Sequence, residues 1–267
     1  MRILKTNKEY SFVDGKFSFS HRNVLFTDEG NTFIAKFTQQ TVPADISRDS
    51  LTDIIPIHKA SYCPSPPATA TILPGPGDFY IKRPNLMETG SVNLAVLVFR
   101  ELEVCETLKR HPHPNVAAYH GCLVSEWLVM GLCFTRYPQT LADRLNPRFM
   151  NKSEFLMTKD LAVARKLAAE KYLTGIEAGV RHLHAHRIVH NDLNPTNIAI
   201  TEDGVPVIID FDSSSPPGTA LGETKRTPGW FDRNNTVAQT DNDLRALVEL
   251  RVWLLGSSPD EYQFGKL

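Results

Sequence analysis

The chain has 267 residues, of which 42% are hydrophobic, so it can bury a substantial core in one large domain or two smaller ones. The formal net charge of −1 excludes a general electrostatic attraction to nucleic acid or acidic membranes. The first residues, MRILKTNKEYSF, lack the apolar run of a signal peptide, and no later segment is apolar enough for a bilayer. We therefore expect neither nucleic acid nor a membrane as a partner.

Four cysteines, Cys63, Cys105, Cys122 and Cys133, are scattered along the chain without a C-x-x-C pair. This usage is typical of free thiols in a reducing compartment. We expect a cytoplasmic or nuclear location.

The first fifty residues alternate in short β-like runs that end at turn residues, with turns at Gly15 and at Asp28–Gly30. The pattern predicts a small antiparallel sheet over residues 1–50. It carries no chemical motif, so a docking or bracing role and a simple extension of the next domain both stay open. Residues 43–78 are rich in proline, which removes amide donors, and we expect them to be irregular.

A short strand, residues 79–82, ends in Lys82 and precedes a helix predicted from Ser91 to Lys109. Glu101 falls within the apolar stripe of this helix, whereas Glu103 falls on the opposite side. A carboxylate on a buried face needs a partner. We therefore favour Glu101 as a functional residue, and Glu103 stays open as the alternative.

Two strands, 116–124 and 127–137, and two helices, 159–186 and 243–255, are predicted next. Thr240 and Asp241 are expected to cap the last helix, and Gly256 to close it. The apolar spacing predicts these buried residues in the two helices: Leu161, Leu167, Ala168, Ile176, Val180, Leu183, Leu244, Leu247, Val248, Val252 and Leu255.

The stretch 188–213, IVHNDLNPTNIAITEDGVPVIIDFDS, contains two β-branched runs joined by Asp203-Gly204, a strong hairpin signal. The hairpin places Asp192 and Asp210 at its two ends with Asn197 between them. A carboxylate that accepts a proton and an Asn/Asp pair that holds Mg²⁺ are what phosphoryl transfer requires.

The motifs His190-Asn191-Asp192, Asn197 and Asp210-Phe211-Asp212 resemble the catalytic loop and metal motif of the protein-kinase superfamily. The resemblance implies that Asp192 is the catalytic base and that Asn197 and Asp210 bind Mg²⁺. It also implies that Lys82 binds the phosphates of ATP and pairs with Glu101.

The same resemblance implies an α+β, two-lobed kinase-like fold. Its parts are an N-terminal β-rich extension (1–50), a small lobe (51–137) and a shortened large lobe (138–267) that ends after its central helix. Arg136 and Tyr137 fall in the hinge whose backbone binds adenine. His190 would brace the catalytic loop, Asp243 would anchor its backbone, and Thr227-Pro-Gly-Trp resembles the stretch that receives a peptide substrate.

Several positions depart from the family pattern. The G-x-G-x-x-G loop is missing, and Gly75 and Gly77 lie too close to the next strand to replace it. Asn191 replaces an arginine that phosphorylated activation loops bind, so we expect no such switch. Asn194, which we include among the catalytic residues, replaces a lysine that neutralises the γ-phosphate, and Asp212 replaces a glycine. The Ala-Pro-Glu motif is also missing.

We therefore predict an ATP- and Mg²⁺-dependent phosphotransferase of the protein-kinase type that acts on Ser/Thr hydroxyls of a protein. Two alternatives stay open: a pseudokinase scaffold that binds a partner protein, and a small-molecule kinase of the aminoglycoside/choline type. The oligomeric state does not follow from the sequence.

Overall fold

The computed structural model describes residues 1–13, 16–41, 43, 46–88, 93–222 and 224–264. Its strands are β1 (Arg2–Val13), β2 (Lys16–Asp28), β3 (Asn31–Phe37), β4 (Thr52–Ile57), β5 (Tyr80–Lys82), β6 (Tyr119–Ser125), β7 (Leu128–Phe134), β8 (Gln139–Thr140), β9 (Ile198–Ile200) and β10 (Pro206–Ile208). Its α-helices are α1 (Leu94–Arg110), α2 (Leu141–Leu145), α3 (Lys152–Met157), α4 (Ala162–Ala185) and α5 (Thr240–Leu255). This α+β content agrees with the predicted fold class. The predicted turn at Gly15 and helix start at Ser91 lie outside the described residues.

The chain divides into two compact units. One comprises residues 1–65 and 83–98, and the other comprises residues 66–82 and 99–267. All the predicted site residues belong to the second unit. The limits predicted for three domains, 1–50, 51–137 and 138–267, stay a prediction.

The first unit contains an antiparallel sheet in the order β1-β2-β3-β4. Its core is formed by Val24, Phe26, Ala35, Phe37, Ile46 and Leu51. The predicted N-terminal sheet is thus confirmed, but the prediction that residues 43–78 are irregular is wrong for β4. Pro56 is compatible with β4 because this strand lies at the edge of the sheet, where a missing N–H breaks no ladder on the outer side.

The second unit begins with irregular chain and a three-stranded antiparallel sheet in the order β5-β7-β6. The irregular segment 66–79 runs beside β6, where Cys122 N–H donates to Thr71 O at 2.8 Å and Leu73 N–H donates to Cys122 O at 2.9 Å. The N–H and hydroxyl of Thr71 also donate to buried Glu106 of α1, at 2.6 and 3.0 Å. Residues 66–79 are thereby tied to β6 and α1.

A second small sheet, β8-β9-β10, carries the predicted hairpin. Gly204 has φ +78°, the left-handed backbone that the Asp-Gly turn needs. Helix α4 packs on β10 at Gly179, where an added Cβ would lie 2.7 Å from Asn115 O. That carbonyl already accepts the Ile208 N–H at 2.9 Å, so it has little freedom to move.

The predicted buried faces of α4 and α5 are only partly correct. In α4, Ala168, Ile176, Val180 and Leu183 are buried, but Leu167 is 59% exposed. In α5 the prediction is wrong, since Leu244, Val248 and Leu255 are exposed and the buried residues are Asp243, Ala246, Glu249, Leu250, Trp253 and Leu254. Two carboxylates turn inward because each finds donors there. The cap is also corrected, because α5 begins after Gln239 without a side-chain cap.

We predict that Gly179→Ala lowers the free energy of unfolding by about 1–2 kcal/mol, although alanine ordinarily stabilises a helix interior by about 1 kcal/mol. The reason is the contact of the new Cβ with the fixed Asn115 carbonyl. Urea unfolding would measure it, with Thr174→Ala at an exposed position of the same helix as the control. A stabilised Gly179→Ala variant would contradict this packing.

Candidate active site

One ammonium group gathers three carboxylates in the second unit. Lys82, at the end of β5, donates to Glu101 at 2.6 Å, forms a close ion pair with Asp210, and lies 3.9 Å from Asp212. Glu101 is buried and Glu103 is exposed, so the structure brings the favoured glutamate to the lysine. One cation among three carboxylates leaves an excess of negative charge.

The pKa values of these groups are shifted because the groups are buried close to one another. Burial raises the pKa of Glu101 to about 7, although the charge of Lys82 opposes the rise. Burial also disfavours a charged Lys82, but the three carboxylates outweigh it and hold its pKa well above the usual range. For Asp210, Lys82 outweighs burial and lowers the pKa. Lys82 is therefore cationic and Asp210 is anionic at neutral pH.

The loop around Asp192 is fixed by one buried carboxylate from α5. Asp243 is fully buried and accepts the backbone N–H groups of His190 and Asn191, each at 2.8 Å. His184, near the end of α4, contacts the same carboxylate at 2.8 Å. Asn191 has φ +63°, a backbone that asparagine tolerates better than most residues. The structure thus confirms Asp243 as the anchor of this loop.

His190 braces the loop against the second strand of the hairpin. Its Nε2 lies 3.0 Å from Ile209 O, and its Nδ1 accepts the Asp192 N–H at 3.3 Å. These two contacts require the proton on Nε2. The bracing role predicted for His190 is therefore confirmed, and it connects Asp192 to the residue that precedes Asp210.

Asn191 faces the interior, where the family pattern has an arginine. Its Nδ2 lies within 3.2 Å of Val189 O, Ser213 O and Ser215 Oγ, and its Oδ1 accepts from Asn242 at 3.0 Å. These contacts join the catalytic loop to the segment that follows Asp212. With its amide buried in this way, Asn191 cannot bind a phosphorylated activation loop.

The carboxylate of Asp192 is surrounded by hydrogen-bond donors. Its Oδ1 accepts the Thr227 N–H at 2.6 Å, and its Oδ2 accepts the Thr227 hydroxyl and the Asn197 amide, each at 3.0 Å. Burial raises the pKa of Asp192, although the two Thr227 donors oppose the rise. A carboxylate has about four acceptor positions, so these three donors leave one position on Oδ1 for a further hydroxyl.

Asn194 and Asn197 belong to the same hydrogen-bond network. The Asn194 amide donates to Asp192 O at 3.0 Å and to the Thr227 hydroxyl at 3.1 Å, and its oxygen accepts from Thr196. The Asn197 amide nitrogen is occupied by Asp192, so its oxygen is the atom that can face a cation. The Ile209 N–H donates to the backbone oxygen of Asn197 at 3.0 Å. Because Ile209 precedes Asp210, this bond holds Asn197 close to Asp210.

A cavity of about 300 Å³ lies beside Lys82 and Asp210. It is lined mainly by apolar and aromatic side chains from β5, β7, the hinge and the hairpin, among them Tyr80, Ala117, Phe134, Tyr137, Ala199 and Ile209. Arg136 instead donates to Phe79 O at 2.9 Å and is not among the lining residues. Gly75 and Gly77 are not among them either, so the cavity lacks a glycine-rich cover in the described part of the chain.

The family model described as the protein kinase domain matches residues 80–230, more than half of the chain. The chain belongs to the protein kinase domain family. This family comprises phosphotransferases.

The curated relatives that the kinase domain matches are much longer proteins. Serine/threonine-protein kinase TAO3 of Xenopus laevis is 27% identical over 165 residues, which is 60% of this chain and 16% of the relative. Serine/threonine-protein kinase TAO1-A of Xenopus laevis is 28% identical over 155 residues, 56% of this chain and 13% of the relative. Human TAO3 is also 27% identical over 165 residues, with the same coverage as TAO3 of Xenopus laevis. The match therefore spans about a sixth or less of their length.

The structure brings together the kinase-domain residues Lys82, Glu101 and Asp210, and separately Asp192, Asn194 and Asn197, while their chemical roles stay predictions. Sequence reasoning missed Thr227 as a partner of Asp192, although the Thr-Pro-Gly-Trp pattern marks its segment. It also missed Lys152 and Glu249, for which no local pattern gives a signal.

The four cysteines are buried, and none of them forms a disulfide. Among the described residues, no cluster of three or more His, Cys, Asp or Glu side chains has an arrangement suited to a metal ion. No helix there has the length and apolar character that crossing a membrane requires.

We predict that Asp243→Asn lowers the free energy of unfolding by about 3 kcal/mol, because an amide cannot accept both backbone N–H groups and turns a donor toward one of them. Asp241→Asn, in the exposed first turn of α5, should cost less than about 1 kcal/mol. Chemical denaturation of the two variants would measure the difference. Equal effects would contradict the anchoring role.

Proposed function

We propose that this kinase domain binds ATP with Mg²⁺ and transfers the γ-phosphate to a Ser/Thr hydroxyl of a protein. The observation that carries the proposal is the state of Asp192. Its carboxylate has a raised pKa, keeps one acceptor position on Oδ1, and sits in a buried loop that is bonded to the residue before Asp210. A raised pKa makes a carboxylate a stronger base toward an acceptor hydroxyl.

The residues around the cavity suit a nucleotide. Its apolar and aromatic walls, including Tyr80 and Tyr137, would bury a base, and its volume of about 300 Å³ is at the lower end of ligand pockets. Lys82 opens onto the same cavity, where its ammonium would bind phosphate oxygens while Glu101 orients it. Nucleotide binding therefore needs no large rearrangement of these side chains.

The oxygen ligands suit a divalent cation. Asp210 and the amide oxygen of Asn197 are hard donors of the kind that Mg²⁺ prefers, and the excess of carboxylates at Lys82 favours a cation. A bound Mg²⁺ would neutralise phosphate charge. The role of the chain is to hold these oxygens in place and to keep Asp210 ionised through Lys82.

Asp192 would orient the acceptor hydroxyl at Oδ1 and accept its proton. Asn197 and Thr227 fix the carboxylate for this task, because their three hydrogen bonds restrain both oxygens. Asn194 contributes no charge, so the γ-phosphate would depend on Lys82 and the cation for stabilisation. We therefore expect a slow enzyme.

The acceptor class rests on two observations. The matched relatives are named serine/threonine-protein kinases. In this chain, Thr227-Pro-Gly-Trp lies directly against Asp192, where a bound peptide would present its hydroxyl. A small-molecule acceptor is the outcome that would redirect the proposal within the same reaction class.

We predict that saturating ATP with Mg²⁺ stabilises the wild-type chain by about 2.7 kcal/mol at a hundred times Kd, several degrees in Tm. Asp210→Asn should abolish the part of the shift that depends on Mg²⁺, since it removes a charged ligand, and asparagine tolerates the φ of +66° at this position. A thermal-shift titration with and without Mg²⁺ would measure both. The control is Asp203→Asn in the exposed hairpin turn.

If wild type gives no shift under any condition, the nucleotide site fails and the pseudokinase scaffold becomes the better account. A shift of equal size in Asp210→Asn would remove Asp210 from the metal site.

We predict that Asp192→Asn lowers phosphotransfer by at least about a hundredfold, the lower range for loss of a general base, while the ATP shift is retained. The new amide oxygen can accept the Thr227 N–H, and the Thr227 hydroxyl can turn to accept from the new amide nitrogen. Asn197 keeps its bond to the backbone oxygen of Asp192, so the loop should keep its fold. Turnover would be followed as transfer of labelled phosphate to protein and, separately, to small-molecule acceptors. Unchanged turnover would exclude Asp192 as the base.

A further inference from the structure

One partly buried lysine joins four segments of the second unit. Lys152, the first residue of α3, forms a close ion pair with Glu249 of α5 and donates to Gly229 O at 2.7 Å. It also lies 3.5 Å from Phe264 O, so each of its three N–H groups has an acceptor. Its ammonium thereby links α3, the Thr227–Trp230 segment, α5 and the end of the described chain.

Aromatic rings enclose the same ammonium. The Lys152 Nζ lies 4.6 Å from the centroid of the Trp230 ring and 4.1 Å from that of Tyr262. Tyr262 in turn donates its hydroxyl to Lys152 O at 3.2 Å. A cation held by two ring faces and three acceptors is rigidly placed, unlike an ordinary surface lysine.

Burial makes this arrangement costly unless both charges are present. The Lys152 side chain is 17% exposed and Glu249 is fully buried. Burial lowers the pKa of Lys152, and the hydrogen bond and charge of Glu249 offset this only partly. Glu249 also accepts the backbone N–H groups of Gln263 and Phe264 at 2.9 and 3.2 Å, so three donors occupy its carboxylate, with at least one on each oxygen.

The segment held by Lys152 is the one that restrains Asp192. Gly229 and Trp230 lie two and three positions after Thr227, and Thr227 provides two of the three donors to the Asp192 carboxylate. Phe231-Asp-Arg stands where the family pattern has Ala-Pro-Glu, so the acidic residue of that motif cannot fix the segment here. A cavity of about 820 Å³ lies along it, lined by Lys152, Asn194, Thr227 and Trp230 among others.

We propose that Lys152, with Glu249 as its counter-ion, is the positioning residue that holds the Thr227–Trp230 segment against Asp192. The role of this segment in receiving substrate rests on the proposed function, whereas the anchoring itself does not. Lys152 acts through Gly229 and Trp230 and touches neither nucleotide nor acceptor. Loss of the ammonium therefore frees the segment, weakens the two Thr227 hydrogen bonds and lowers affinity for the protein acceptor, with little effect on ATP.

The test replaces both charges at once, because removal of one would leave the other buried and unpaired. The variant is Lys152→Met with Glu249→Gln, in which the glutamine oxygen can still accept one of the two backbone N–H groups. The matched control is Lys171→Met, which removes an exposed lysine that lies over the ring of Tyr172 on α4. Hydrogen–deuterium exchange of residues 224–232 is the first readout, since the Thr227 and Trp230 amides both donate within the fold.

We expect the double variant to exchange these two amides at least tenfold faster than wild type, and Lys171→Met to leave them unchanged. The KM for a protein acceptor should rise at least fivefold, with KM for ATP and the ATP thermal shift unchanged. Wild-type exchange and wild-type KM in a folded double variant would overturn the proposal. An equal rise in both KM values would also overturn it, because it would indicate a general loss of structure.

Two further results keep the test decisive. If the double variant does not fold, Glu249→Gln alone should give a smaller change in the same direction, two- to threefold in exchange, and no change would overturn the proposal. If wild type shows no phosphotransfer to any acceptor, the proposed function fails, and faster exchange at Thr227 and Trp230 would still support the anchoring.

Discussion

The second unit depends on one buried carboxylate that receives two backbone donors. Asp243 of α5 accepts the N–H groups of His190 and Asn191 and thereby fixes the loop that carries Asp192. The contact joins residues more than fifty positions apart, and the loop needs it because Asn191 adopts a left-handed backbone with its donors pointing inward. Helix α5 thereby supports the loop that carries Asp192.

From the loop that Asp243 anchors, hydrogen bonds extend in two directions. His190 binds Ile209 O and so fixes the strand that leads to Asp210, the partner of Lys82. Asp192 receives Thr227, whose segment is tied back to α5 through Lys152 and Glu249. Both routes begin at Asp243 of α5, and the second one also returns to this helix at Glu249. The structure therefore couples Asp192 to the same helix twice, once through the hydrogen bonds of Asp243 and once through the ion pair of Lys152 with Glu249.

The site lacks two parts of the family pattern, the glycine-rich loop and the lysine that Asn194 replaces. No glycine-rich hairpin covers the cavity in the described residues, and segment 66–79 is bound to Glu106 and Cys122 instead. Asn194 uses its amide to hold Thr227, where a lysine would carry charge. The parts that differ are those that contact phosphate in the family pattern. The interactions that hold the Asp192 loop and the Thr227–Trp230 segment in place are retained or replaced. The domain thus keeps the architecture of the family more fully than it keeps the groups that would bind phosphate.

The sequence by itself determined the local features: the spacing of Asp192, Asn197 and Asp210, the Asp203-Gly204 hairpin, and the preference for Glu101, with Glu103 left open. These follow from turn chemistry and helical periodicity, which act over a few residues. Only the tertiary structure decided the buried face of α5, the edge strand β4 and the pairing of Lys152 with Glu249 across 97 positions. Apolar spacing pointed to Leu244 and Val248, but Asp243 and Glu249 are buried because donors from distant segments offset their desolvation, and periodicity contains no information about such partners.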